Sequence, residues 1–213
     1  MVKNTALSGA QASKAHLHKF MKFLASFLLT LLSTAVVAMA QVPVQVGPQN
    51  IKVKKINPSV ITSPEFRTDV PDKRSPKLKW FEIEVEFDVD KIPKGEVIDE
   101  LTFKYTVLFN GKLLTGEVTH VNIPNGSDHY SVMYMSPRAI DRATMGAAFT
   151  AGMVDNIWVS VERQGQKLAT DSLKKTAIPN AAQTPGLLVP KSETPFQVLW
   201  WDRYEAVKPA VGH

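Results

Sequence analysis

The stretch KWFEIEVEFDVDK, residues 79–91, constrains the fold more than any other part of the chain. Phe81, Ile83, Val85, Phe87 and Val89 take the odd positions, and Glu82, Glu84, Glu86, Asp88 and Asp90 the even ones. Successive side chains leave a strand on opposite faces, so a strict two-residue period marks a β-strand with one buried and one wet face. Such half-buried strands belong to antiparallel sheets covered on one side.

The same period recurs downstream. LTFKYTVLFN (101–110) sets Leu101, Phe103, Tyr105, Val107 and Phe109 on one face. Asn110-Gly111 then marks a tight hairpin, because both residues tolerate the positive φ of a type I′ turn. KLLTGEVTHVNI (112–123) is its return strand, and HYSVMYM (129–135) follows the turn PNGSD. NIWVSVERQ and QKLATDSL flank Gly165 as a further hairpin. In SPRAIDRATM (136–145), a Ser cap followed by Pro predicts one or two turns of helix.

The remaining segments are less regular. QVPVQVGPQN (41–50) is an arm leading into a short strand, IKVKKI (51–56). Residues 57–76 are rich in proline and turn formers, which predicts a wandering edge with at most one short paired piece. Leu78 and Trp80 lie in the even phase and Phe81 in the odd, which predicts a bulge near Trp80-Phe81. Residues 177–195 form a proline-rich connection, and FQVLWWDRY (196–204) is expected as a last strand integral to the fold. In that strand Phe196, Val198 and Trp200 would face one way and Leu199 and Trp201 the other. The tail EAVKPAVGH is expected to fray. Seven or eight short strands with regular turn signals predict an all-β protein, an antiparallel immunoglobulin-like β-sandwich with one short helix. A small barrel is the less favoured arrangement. Residues 41–213 form one domain.

The first forty residues carry an address. KAHLHKFMK (14–22) is basic, FLASFLLTLLSTAVVAM (23–39) is apolar, and Ala38-Met39-Ala40 supplies the small residues of a cleavage site. Together they predict a secretory signal peptide over 1–40. The alternative is an uncleaved anchor, since the apolar run lies at the short end of what spans a bilayer. Met21 begins a complete signal of its own, so the true start is Met1 or Met21. Of the 25 basic residues four lie in this leader, against none of the 20 acids, which leaves the rest nearly neutral. The pI near 9.3 therefore gives no reason to expect nucleic acid. The chain has no cysteine, which removes disulfides, thiol catalysis, thiolate metal sites and lipoprotein anchoring. An exported bacterial protein of the periplasm, outer membrane or cell surface is expected, meeting membrane only through export or peripheral association.

The candidate sites are few. Carboxylates two apart on a strand are spaced like the acid and base of an inverting glycosidase. Five like charges in a row, however, stay hydrated rather than raise one pKa. The row reads as a solvated face, neutralised from neighbouring strands by Lys104 or by Lys52 and Lys54. Its alternative role is an interface for a basic partner through Glu82, Glu84 and Glu86. His120 and His129 flank a turn and could offer two metal ligands across a hairpin, with no evident third. Ser127-Asp128-His129 are adjacent and cannot form a relay whose members meet across a fold. Asn125-Gly126-Ser127 matches a glycosylation sequon but reads as the turn it makes. No catalytic residue, metal site or cofactor is predicted. Trp200 and Trp201 are the other candidate interface residues, with one expected in the core and the other near a loop or partner.

With its export signal, the cysteine-free β domain and the closing KSETPFQVLWWDRYE (191–205), the chain resembles the pilus-like immunoglobulin-fold proteins of verrucomicrobial bacteria. Those are encoded beside type IV pilus machinery and associated with the outer membrane. The resemblance implies an accessory or binding component, because a prepilin keeps its apolar helix and this leader is cut away. The expected function is a non-enzymatic exported envelope protein, structural or adhesive, with protein partners in a pilus or other surface assembly. The alternative is a periplasmic carbohydrate-binding or hydrolase-accessory module that binds glycans on a surface tryptophan. A hydrolase proper is the least favoured.

Overall fold

A computed structural model describes residues 45–66, 69, 77–200 and 202–209. The signal peptide and the alternative start at Met21 lie outside these residues, as does Trp201. Nine strands in the described residues form two sheets, with order β1-β2-β5-β9 in one and β7-β6-β3-β4-β8 in the other. The elements are β1 (Ile51–Thr62), β2 (Lys79–Val89), β3 (Val97–Phe109), β4 (Lys112–Pro124), β5 (Gly126–Met135), α1 (Pro137–Thr144), β6 (Val154–Arg163), β7 (Gln166–Ser172), β8 (Gln183–Pro185) and β9 (Leu188–Pro190). This is the expected immunoglobulin-like sandwich, antiparallel throughout except where the short β8 runs parallel to β4.

Alternation builds the core. Phe81, Ile83, Val85, Phe87 and Val89 of β2 face Leu101, Phe103, Tyr105, Val107 and Phe109 of β3, all of them buried. Asn110 and Gly111 take φ of 46° and 74° and close the β3–β4 hairpin as the sequence predicts. Helix α1 starts where expected, because the Ser136 hydroxyl accepts from the Ala139 N–H and Pro137 lacks the donor that would be orphaned there. It buries Ala139, Ile140 and Ala143 in the core.

Three expectations are corrected. First, β1 does not stop at residue 56: pairing with β2 runs on from Asn57↔Glu84 to Thr62↔Lys79. Pro58 is accommodated because β1 is the outer strand of its sheet, where a missing N–H forfeits no ladder bond on the open side. Second, there is no bulge at Trp80-Phe81, where the register passes smoothly through Ile61↔Trp80 and Val60↔Phe81. Trp80 stays on the carboxylate face and is buried there by another segment. Third, residues 196–200 and 202–204 form turns and bends instead of a strand, with Leu199 N–H bonded to Phe196 O and Arg203 N–H to Trp200 O. Their apolar residues separate by turn geometry. Phe196 goes inward, and Val198 and Trp200 go out.

The connection at 177–195 is also more ordered than its prolines suggest. Within it, β9 pairs with β5 (Met133↔Pro190 to Met135↔Leu188). Leu188 presses on β4 at Gly116, where an added Cβ would lie 2.7 Å from the Leu188 Cβ. The expected fraying is absent up to residue 209. Glu205 N–H bonds to Tyr130 O of β5, Val121 N–H of β4 bonds to Ala206 O, and Lys208 N–H bonds to Thr119 O. The closing segment thus joins one edge of each sheet. Among the described residues no helix is long and apolar enough to cross a membrane.

Candidate functional site

The carboxylate row of β2 lies on the outer face of its sheet and is half-buried. Four of the acids have partners within the chain. Glu82 accepts from the Ser59 hydroxyl at 3.0 Å, and Lys54 approaches Glu86 and Asp88 at 3.5 and 3.7 Å. Lys54 was one of the expected counterions. Lys104 belongs to the other sheet and pairs with Glu162 at 2.6 Å.

Glu84 is held most firmly. Arg203 donates to both its oxygens through Nε and Nη2, each at 3.0 Å, and the Tyr204 hydroxyl donates at 3.0 Å. Burial pushes the Glu84 carboxyl up, but these hydrogen bonds and the guanidinium charge outweigh it and hold the carboxyl below its ordinary range. The same guanidinium lies 4.0 Å from the Tyr130 ring centroid. Within the outer row, Glu84 is therefore the anchor for a strap formed by residues 191–200 and 202–209.

The strap covers the outer face with aromatic rings. Phe196, 1% exposed, stacks on Tyr134 at 5.0 Å and meets Trp80 edge-on at 5.5 Å. With Val132 these residues make a second apolar cluster outside the sandwich core. This explains the burial of Trp80 in a polar phase. Lys191 is buried as well, its ammonium 5.0 Å from the Tyr204 ring, and burial lowers its pKa against the opposing pull of Asp202.

His120 and His129 do come near one another's partners, but as strap anchors. His129 Nδ1 lies 2.7 Å from a Glu205 carboxylate oxygen, and His120 Nδ1 lies 3.1 Å from the Glu205 carbonyl. Inside the core the Tyr105 hydroxyl donates to Ser131 Oγ at 2.7 Å, and Ser131 Oγ is 2.8 Å from His120 Nε2. The chain of bonds is satisfied when Ser131 donates to Nε2 and Nδ1–H donates to the strap carbonyl. Burial pushes His120 down to about 4, so it is neutral at ordinary pH. A serine and a histidine at this distance have the spacing of a nucleophile and its base. Ser131 is 0% exposed and His120 1%, and the chain of bonds joins the two sheets and the strap. Among the described residues no three His, Asp or Glu side chains converge in a way that would hold a metal.

Beside the polar Ser192, Glu193, Gln197, Asp202 and Arg203, the strap exposes two large apolar residues. Val198 is 65% and Trp200 49% exposed. Trp200 has φ of +50°, uncommon for a bulky residue, and its ring stacks over Phe196 at 6.4 Å. Of the expected interface residues, Trp200 is thus at the surface, while Glu82, Glu84 and Glu86 are engaged within the chain. Arg203, Tyr204 and Glu205 were missed. The signal for them was the turn of polarity at Asp202-Arg203 after an apolar run.

This fold and surface define an immunoglobulin-like sandwich protein whose C-terminal strap closes the sheets and carries an exposed aromatic. A protein-family model matches residues 43–210, and the chain belongs to that family. It is similar to a protein of known crystal structure from Akkermansia muciniphila, at 28% identity and a TM-score of 0.66. The match covers 76% of this chain and 94% of the other. Comparison with curated proteins finds no match.

Proposed function

We propose that the chain is a non-enzymatic exported envelope protein, structural or adhesive, that works in a pilus or other surface assembly by docking a protein partner on its strap. One observation carries this reading: Trp200 is held half-exposed in an unfavourable backbone region, on a segment pinned by the bidentate Arg203–Glu84 pair. Strained residues persist where surrounding structure over-determines them, and they cluster at functional sites. A rigid exposed tryptophan beside Val198 has the character of an interface anchor, since tryptophan dominates binding energy in such surfaces. Similarity to the Akkermansia muciniphila protein supports the verrucomicrobial resemblance on which this reading rests.

The test is fractionation of cells producing the protein. Recovered protein should begin at Gln41 and sediment with the envelope. Trp200→Ala should release it to the soluble periplasmic fraction without changing its melting temperature. A cytoplasmic protein that keeps residues 21–40 would sink the export reading. Unchanged sedimentation of Trp200→Ala would sink the strap as docking surface.

A further inference from the structure

A cavity lies on the opposite face of the molecule, away from the strap. It is a groove of about 580 Å³ across the outer face of the β7-β6-β3-β4-β8 sheet. Its floor follows from the strand registers. One row across the sheet is Thr170–Ser160–Lys104–Glu117, and the next is Ser172–Trp158–Thr106–Thr115. Its wall is the segment after β7, with Ile178, Pro185 and Gly186 lining the cavity. That wall is tied down by Asn156, whose amide donates to Lys174 O and Thr176 Oγ1, and by the Trp158 indole N–H, which donates to Thr176 O at 2.6 Å.

Two features separate this groove from an ordinary wet sheet face. The first is its free hydroxyls. In the neighbouring row Thr102 and Thr119 bond to each other at 2.8 Å, outside the cavity. Inside it, Thr106, Thr115 and Thr170 engage no described partner through their side chains. The second is its charge balance. Lys104 is paired with Glu162, and Asp171 with Lys175, which leaves Lys167 and Glu117 to offset one another. An ionic ligand would find no net counter-charge. A ligand with many hydroxyls and apolar C–H faces would find donors and acceptors on the floor, with indole, isoleucine and proline surface beside them.

We infer that this groove is a binding site for a neutral oligosaccharide. The volume lies within the range of about 300–1,000 Å³ typical of small-ligand sites. The open form of the groove suits a linear chain several sugars long. The site is independent of the strap, and its failure would leave the docking reading untouched.

The experiment is titration of the intact, isotope-labelled protein with neutral linear tetrasaccharides: cellotetraose, maltotetraose and chitotetraose. Tetragalacturonate and an extended serine-threonine peptide serve as competitors of other chemistry. At least one neutral sugar should shift the Trp158 indole signal and the amides around Thr106, Thr115 and Ser160. Paired Thr106→Val and Thr115→Val changes, which keep shape and β propensity, should weaken binding roughly tenfold through two lost hydrogen bonds. Thr170→Arg, at an exposed position, should block the groove sterically even if the paired variant folds poorly. Trp200→Ala should bind as the parent does. The inference is overturned if no neutral sugar binds at about 10 mM, where even a weak site would show. Shifts that map to the strap, or tighter binding of the acidic sugar or the peptide, would overturn it equally.

Discussion

His120 is neutral because it is buried, with both ring nitrogens committed. Its folded pKa of about 4 lies below the unfolded value near 6.5. The unfolded chain therefore takes up a proton first as pH falls. Stability from this group is complete above pH 6.5 and declines as pH drops toward 4, by about 3 kcal/mol in all. Denaturation midpoints measured across that window should fall in the parent and flatten in His120→Gln. Glu84 behaves unlike a surface acid. Glu84→Gln and Arg203→Ala should each cost about 1 kcal/mol in chemical denaturation, because each breaks a charge-assisted fork. Their double variant should cost less than the two together. On the other face of the same strand, Val85→Asp should cost at least ~3 kcal/mol by burying an unpaired charge.

At the scale of elements, the strap depends on Phe196. Phe196→Ala should cost ~3 kcal/mol and expose Trp80, which an increased and red-shifted tryptophan emission would report. The regular strands were legible because their burial is one-sided: β2, β3 and the two glycine hairpins follow directly from alternation and turn chemistry. The helix was legible from Ser136-Pro137 alone. The strap was not, because its apolar residues lack a period. Phe196, Val198 and Trp200 look like one face of a strand, and only tertiary packing shows that Phe196 turns inward while the others turn out. The acids were legible as an outer face but not as anchors. Arg203, the partner of Glu84, lies 119 residues away, a separation that no local pattern encodes.

For the whole molecule, the two seams of the sandwich are unlike each other. At one, β9 and residues 205–208 bridge the edges of β5 and β4. At the other, β1 and β7 are outer strands, and β1 carries Pro58 and exposed lysines of the kind that discourage edge pairing. Hydrogen exchange should follow this difference. The Val121 amide, bonded to Ala206 O, should be as slow as its neighbours in β4, and should become fast when the chain is cut after Tyr204. A cut after Pro190 should leave a domain that aggregates, because it bares an edge and strips the outer cluster together.

The closing of one seam by residues 205–208 also fixes when folding can finish. Chains are made from the N-terminus onward. Strands β1 to β7 can emerge and begin to pair while the β4 edge and the aromatic pocket on the β2–β5 face are still bare. The hydrogen bonds that seal them come from residues 205–208, which follow every strand in the sequence. Their arrival is therefore expected to close the seam after the strands have paired, so that the clasp sets the last step of folding.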